Sequence, residues 1–304
     1  MHAFARQRTR LHDPSRPSTI QALYDAYIAD KLLDRKPVQN QQNHWKALAP
    51  TFGHLAPQDV TKALCKQYER TRTAQGRKPG TIWSELVALR SVLNWSFKAG
   101  TIAQAPPITI PAKPAPRDLS LSRDYLERLL DAIEHAHVRL YVVLAITTAG
   151  RMSAILQLTW DRIDFQAGTI NLHDPGRVTT AKGRAFVPMN SSARAALFEA
   201  RPAALTEYVI EWNAKPVLSV KKGLATAAAK CNLVCSPHVL RHTAARWMAE
   251  AGVPMEEIAS YLGHTTPAIT YRVYARYSPT YLRKAASALE LPPARPTTKR
   301  SSVR

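Results

Sequence analysis

Residues Ser236 to Tyr281 read SPHVLRHTAARWMAEAGVPMEEIASYLGHTTPAITYRVYARYSPTY. Their punctuation predicts helices. Ser236-Pro237 supplies a capping hydroxyl followed by a proline in the first turn, and Gly252 and Gly263 fit left-handed helix ends. Thr266-Pro267 opens a further helix carrying Tyr271, Tyr274 and Tyr277. In the first helix, Leu240, Ala244, Trp247, Met248 and Ala251 form the predicted buried stripe, and His238 and Arg241 stand three apart on a neighbouring face. Both lie near the amino end, where unbonded N–H groups and the helix dipole favour an anion. Alone, H-x-x-R is a weak signal, since a surface arginine beside a packed histidine has the same spacing. The company it keeps changes the reading: His264 follows Gly263 directly, and three phenols come soon after. One segment therefore offers charge neutralisation, proton donors and a nucleophile, the parts needed to work on a phosphate.

The rest of the chain fits that reading. Its 304 residues suit two domains and a sizeable core. A formal net charge of +20 with 45% hydrophobic residues describes a folded protein with a strong positive field, which favours nucleic acid as a partner over a merely solubilising surface. Cys65, Cys231 and Cys235 are too few and too irregular for a disulfide framework, as suits a reducing cytosol. No apolar run is long enough to span a bilayer and the first residues lack a signal-peptide core, so neither a membrane nor secretion is expected.

Residues 1–17 carry Arg6, Arg8, Arg10 and Arg16 against Asp13 and read as a flexible basic arm. Four amphipathic helices are predicted after it, over Thr19–Asp30, Val38–Leu48, Asp59–Thr73 and Thr81–Ala99, with Thr81 as a cap and Gly100 as a left-handed stop. Between the last two, RTRTAQGRK (Arg70 to Lys78) reads equally as a solvated loop or as a phosphate grip. Five prolines in APPITIPAKPAP, Ala105 to Pro116, mark a stiff linker. The expected organisation is a helical domain at 18–103, the linker at 104–119, a second domain at 120–290 and a basic tail at 291–304.

In the second domain, Leu121–Ala136 is a predicted amphipathic helix, and Val138–Thr148 is apolar almost all round, as a central buried helix would be. Arg151 falls at a break before a helical pattern over Met152–Trp160. A hairpin is predicted over Arg162–Leu172, and a second hairpin or third strand over Arg177–Pro188 with Lys182-Gly183-Arg184 at its turn. Helices return at Ser191–Glu199 and Val217–Lys230. The fold class is mainly α with a small antiparallel sheet.

These residues resemble the tyrosine recombinases, or phage-type integrases. The likeness rests on an arginine in a helix break (Arg151 in TAGRMSAIL), a lysine in a β-turn (Lys182 in TTAKGRAFVPM), His238 and Arg241 in SPHVLRHT, His264 in YLGHTT, and Tyr274 in YRVYARYSP. It covers roughly Ser120 to Leu289, and five elements in order are specific where one is not. The resemblance implies a two-domain DNA clamp: an N-terminal four-helix SAM-like core-binding domain and a mixed helical catalytic domain with a small antiparallel β-sheet. It implies site-specific recombination through a 3′-phosphotyrosyl link, with Tyr274 as nucleophile and Tyr271 as its alternate. Arg151 and Arg241 would clamp the phosphate, with His264 as a further hydrogen-bond donor. Lys182 would protonate the leaving 5′ oxygen, and His238 would help activate the phenol.

The implied partners are double-stranded DNA attachment sites, three further copies in a synaptic homotetramer assembled from monomers, and DNA-bending accessory proteins. The tail after Tyr274, an amphipathic stretch over Pro279–Leu291, would dock on a neighbour or on its own domain. No nucleotide cofactor is expected, because no Walker-type glycine loop is present. No metal is expected either, because Cys231, Cys235, His238 and His242 lack a zinc spacing; His242 reads as a packing residue behind the site. Two departures from the family pattern stand out. Ala154 replaces a common acid, so either something else supports Arg151 or the site is weaker than usual, and the turn holding Lys182 is short. Two other readings remain: a type IB topoisomerase that relaxes DNA without sequence preference, and a non-catalytic DNA binder of the same fold.

Overall fold

The computed structural model describes residues 19–34, 36–114, 119–174, 176 and 183–290. The expected basic arm and basic tail, and Lys182, lie outside the described residues. The chain divides into two compact units, Met1–Arg117 and Asp118–Arg304. Among the described residues no helix is long and apolar enough to cross a membrane.

The first unit is helical: α1 (Ile20–Leu33), α2 (Gln39–Leu48, continued by a π turn over Ala49–Gly53), α3 (Lys62–Ala74) and α4 (Pro79–Lys98). Thr19 and Thr61 cap α1 and α3, accepting from the N–H groups of Ala22 and Leu64. The expected cap at Thr81 is corrected: α4 begins two residues earlier, with Pro79 in its first turn and Lys78 in the capping position. Proline's fixed φ suits the first helical position, where its missing N–H would have no partner, and Lys78 makes no side-chain capping bond. Gly100 ends α4 with φ +72°. Ile20, Leu23, Leu48, Phe52, Ile82, Leu86, Leu89 and Leu93 fill the core, and Tyr24 stacks on Trp45 at 4.2 Å.

One charged network is sealed into this unit. Glu85 is 3% exposed, and its carboxylate takes the Tyr68 hydroxyl at 2.8 Å and a two-pronged grip from Arg72, Nε at 3.0 Å and Nη2 at 2.6 Å. Arg72 is therefore removed from the set of residues that could grip DNA in the Arg70–Lys78 stretch. Glu85→Ala is expected to destabilise this unit by about 3–5 kcal/mol, because it leaves a guanidinium and a phenol without their buried acceptor. Urea unfolding checks this, and a loss below about 1 kcal/mol would refute the network's role.

The second unit is mainly α, with α5 (Arg123–Asp131), α6 (Ala136–Thr148), α7 (Met152–Leu156), α8 (Ser191–Ala200), α9 (Lys221–Lys230), α10 (Pro237–Glu250), α11 (Met255–Leu262), α12 (Ala268–Tyr274) and α13 (Arg283–Ser287). Three short strands, β1 (Ile163–Asp164), β2 (Thr169–Asn171) and β3 (Phe186–Pro188), form an antiparallel sheet in sequence order, with Ile163 opposite Ile170 and Ile170 opposite Val187. Gly168, φ +64°, turns the β1–β2 hairpin where expected.

The helix α6 is the axis of the unit. Tyr141, Val142, Leu144 and Ala145 are fully buried along it, and it packs on α8 and α10. Four predicted spans need correction. Leu121–Ala136 is broken, because α5 ends at Asp131 and α6 starts at Ala136. Met152–Trp160 is helical only to Leu156. Val217–Lys230 is helical only from Lys221, and a hairpin of β4 (Glu211–Trp212) and β5 (Lys215–Pro216) precedes it. Of the stretch expected over Pro279–Leu291, the described residues 279–290 are helical only at Arg283–Ser287.

Candidate active site

Four chain segments meet at the carboxyl end of α6. That helix stops at Ala149, which is fully buried and left-handed at φ 49°. The next turn places Arg151 at the cap of α7, where Arg151 Nη1 donates to the carbonyl of Gly183 just before β3. Ala154 is buried in the same cleft. The orienting contact that an acid at position 154 would have supplied therefore comes here from a backbone oxygen.

Close backbone contact fixes the next two segments. A Cβ on Gly183 would lie 2.6 Å from the carbonyl oxygen of Gly263, and one on Gly263, φ +63°, would lie 2.8 Å from the carbonyl carbon of Arg184. Only glycines allow the residues leading into β3 to lie against the Leu262-Gly263-His264 turn. Arg151, Arg241, Gly150, Gly183, Arg184 and Tyr261 are among the residues lining the small cleft that results.

The helix α10 supplies the centre of the site. Ser236 caps it and Pro237 lies in its first turn. The predicted stripe is shifted: Val239, Leu240, Arg241, Thr243, Ala244, Ala245 and Ala249 are buried, whereas Trp247 is partly exposed beneath Arg123 and Ala251 is exposed. Arg241 thus belongs to the buried face, at 8% exposure. Its Nη1 donates to Ala149 O at 2.7 Å and its Nη2 to Leu262 O at 2.8 Å, tying the ends of α6 and α11 together. Nη2 also lies 3.1 Å from His264 Nε2.

A guanidinium has no acceptor, so His264 Nε2 must be the bare nitrogen, and Nδ1–H then donates to Thr270 Oγ1 at 2.8 Å. His264 is held neutral in this state. Burial, then Arg241 and Arg151, push its pKa down from 6.5 to about 4. Burial, then Arg151, likewise push Arg241 down to about 10. The groups that accept from Arg241 are two carbonyls and an imidazole, none of them an anion. This arrangement favours an incoming anion, which would relieve the mutual repulsion of the two arginines.

The low pKa of His264 sets a pH dependence. The unfolded chain binds a proton near pH 6.5 and the folded one only near pH 4, so the folded state loses stability as pH falls from 6.5 towards 4. His264→Gln is expected to flatten that decline. Thermal unfolding at pH 7 and pH 5 measures it, and equal declines in both proteins would refute the assignment.

Tyr274, at 7% exposure, ends α12 and packs among Ala149, Ala244, Ala245 and Leu262, where its charge would be felt by Arg241. The other two tyrosines diverge. Tyr271 is exposed and donates to Glu256 on α11 at 2.6 Å. Tyr277 lies beyond α12 in a 3-10 turn, with Arg246 over its ring at 4.6 Å. The structure thus gathers Arg151, Arg241, His264 and Tyr274, and leaves His238 exposed on the first turn of α10. A residue that sequence reading set behind the site stands within it: His242 Nδ1 is 2.9 Å from the Tyr274 hydroxyl. Its place directly after Arg241 was the available signal.

The model of the phage integrase family matches residues 120–280. Tyrosine recombinase XerC of Xanthomonas campestris pv. campestris (strain B100) is 25% identical over 304 residues, spanning 90% of this chain and 90% of that protein. An integrase of Streptomyces ambofaciens is 25% identical over 183 residues, 49% of this chain and 47% of that one. Among solved structures, the Tn1549 transposon integrase in complex with transposon right end DNA aligns with a TM-score of 0.74 at 18% identity, over 90% of this chain and 99% of that chain. A lambda integrase tetramer bound to a Holliday junction aligns with a TM-score of 0.70 at 18% identity, over 86% and 79%. At these identities the structural likeness speaks for the fold alone.

Proposed function

The chain belongs to the phage integrase family of tyrosine recombinases, enzymes that cut and rejoin DNA, and from that premise we propose that it integrates or excises a phage or related mobile element at defined duplex sites. The observation that carries this reading is the convergence of Arg151, Arg241 and His264 beside the hydroxyl-bearing ring of Tyr274. The named integrase of Streptomyces ambofaciens supports the mobile-element part.

In this reading a scissile phosphate enters the cleft and accepts from Arg151 and Arg241, whose planar forks suit its non-bridging oxygens. His264 takes up a proton as the anion arrives and donates to the same group. The Tyr274 oxygen attacks phosphorus, the bond to the 5′ oxygen breaks, and Lys182 protonates that oxygen as it leaves. Fixed cations holding the charge that builds on the non-bridging oxygens supply the rate. The 3′-phosphotyrosyl bond keeps the energy of the broken diester, so a 5′ hydroxyl from a second duplex reverses the step without ATP. Four copies would act together on two duplexes.

The test is to trap the full-length protein on nicked suicide duplexes cut from DNA flanking its own gene, then sequence the DNA retained. Covalent retention of one defined site, followed by insertion or excision between two such sites, is expected. Relaxation of arbitrary supercoiled plasmid without recombinants would point to a topoisomerase, and no adduct on any duplex would point to a non-catalytic binder.

A further inference from the structure

We propose that His242 is the base that takes the phenolic proton of Tyr274 and returns it when the phosphotyrosyl bond is resolved. The inference rests on the reading of Tyr274 as nucleophile. It departs from the sequence-based assignment of that task to His238.

The Nδ1 atom of His242 lies 2.9 Å from Tyr274 Oη, and the two rings sit 5.0 Å apart, tilted by 43°. That is hydrogen-bond distance for a proton transfer without an intervening water. Both partners are held by packed elements. His242 follows Arg241 on α10, whose guanidinium is anchored at both ends, and Tyr274 is fixed in the cluster formed by Ala244, Ala245, Leu262 and Ala149. One helix thus presents an arginine for the phosphate and, one residue on, an imidazole for the nucleophile.

The step balances within the site. With His242 neutral and its proton on Nε2, the bare Nδ1 accepts the phenolic hydrogen. The freed oxygen pair forms the bond to phosphorus, the bond to the 5′ oxygen breaks, and that oxygen is protonated by Lys182. In the reverse direction the attacking 5′ hydroxyl gives its proton to the neutral amine left on Lys182, the bond from phosphorus to Tyr274 breaks, and the phenolate recovers its hydrogen from His242. An ordinary phenol is almost wholly protonated at neutral pH, so a base in contact with it accelerates attack in the first step.

The test uses the full-length chain on the nicked suicide duplexes described above, following single-turnover adduct formation. Circular dichroism and non-covalent DNA affinity are measured in parallel to exclude misfolded variants. His242→Ala and His242→Asn are expected to slow adduct formation about 100-fold, the lower end of general base catalysis, with unchanged affinity. The asparagine variant separates holding from proton transfer, because it can bond the phenol but cannot take its proton. Placing 3,5-difluorotyrosine at position 274, a phenol that ionises far more readily, is expected to restore most of the rate in the asparagine variant. A wild-type rate in His242→Asn overturns the proposal, as does failure of the fluorinated nucleophile to rescue it. In either case the wild-type adduct leaves the recombinase reading intact. If the wild-type protein itself forms no adduct, both fall together.

Discussion

Tyr274→Phe is expected to abolish covalent attachment to DNA, and Tyr271→Phe to leave it within a few-fold of wild type. The spacing of the two phenols along α12 does not separate them, since residues three apart share a helix face. Their surroundings do. Tyr274 is buried, felt electrostatically by Arg241 and bonded to His242. Tyr271 is exposed and its hydroxyl is engaged with Glu256, whose negative charge would oppose both ionisation of the phenol and approach of a phosphate. Loss of the Tyr274 oxygen removes the atom that would form the bond, so the expected effect is complete rather than graded. An adduct on denaturing gels that survives Tyr274→Phe would contradict the assignment.

Arg241→Lys keeps the charge and is nevertheless expected to be severe. The guanidinium reaches Ala149 O, Leu262 O and His264 Nε2 at once, and an ammonium on a shorter, single-pointed head cannot span the three. Leaving one or two of these buried acceptors unbonded costs on the order of 2–4 kcal/mol. The damage also spreads. Ala149 holds a left-handed turn two residues before Arg151, so loosening its carbonyl loosens the second arginine. A loss of at least about 100-fold in single-turnover adduct formation is expected, the scale of removing one fixed donor from a developing oxyanion. A lysine variant with an unshifted urea midpoint and an undiminished rate would show that the fork is not used.

What the sequence revealed and what it hid divide along physical lines. Local signals were legible: Ser236-Pro237 starts α10, and Gly100, Gly252 and Gly263 end helices at positive φ. The apolar run at 138–148 is the buried axis of the second unit. The β4–β5 hairpin was not legible, because its turn places Asn213 and Ala214 at φ 52° and 55°. Alanine there carries none of the Asn-Gly chemistry that announces such a turn. Burial of charge was hidden as well. Nothing near Arg72 in the chain announces Glu85, thirteen residues on, and nothing near Arg241 announces the carbonyl of Ala149, ninety-two residues back. The expected site residues and their order came from the resemblance to the tyrosine recombinases. Which imidazole meets the phenol depends on how α10 and α12 pack, and that is a tertiary fact.

The decisive measurement is the position of the DNA on the protein after trapping. Nuclease treatment of the adduct, followed by trypsin and mass spectrometry, separates the candidates cleanly. Cleavage after Arg272 and Arg276 places Tyr274 alone in the peptide Val273–Arg276, whereas Tyr271 falls in the preceding peptide and Tyr277 in the following one. A nucleotide remnant on Val273–Arg276 is the expected result. A remnant on either neighbour, with Val273–Arg276 unmodified, would contradict a site built around Tyr274, Arg241 and His242.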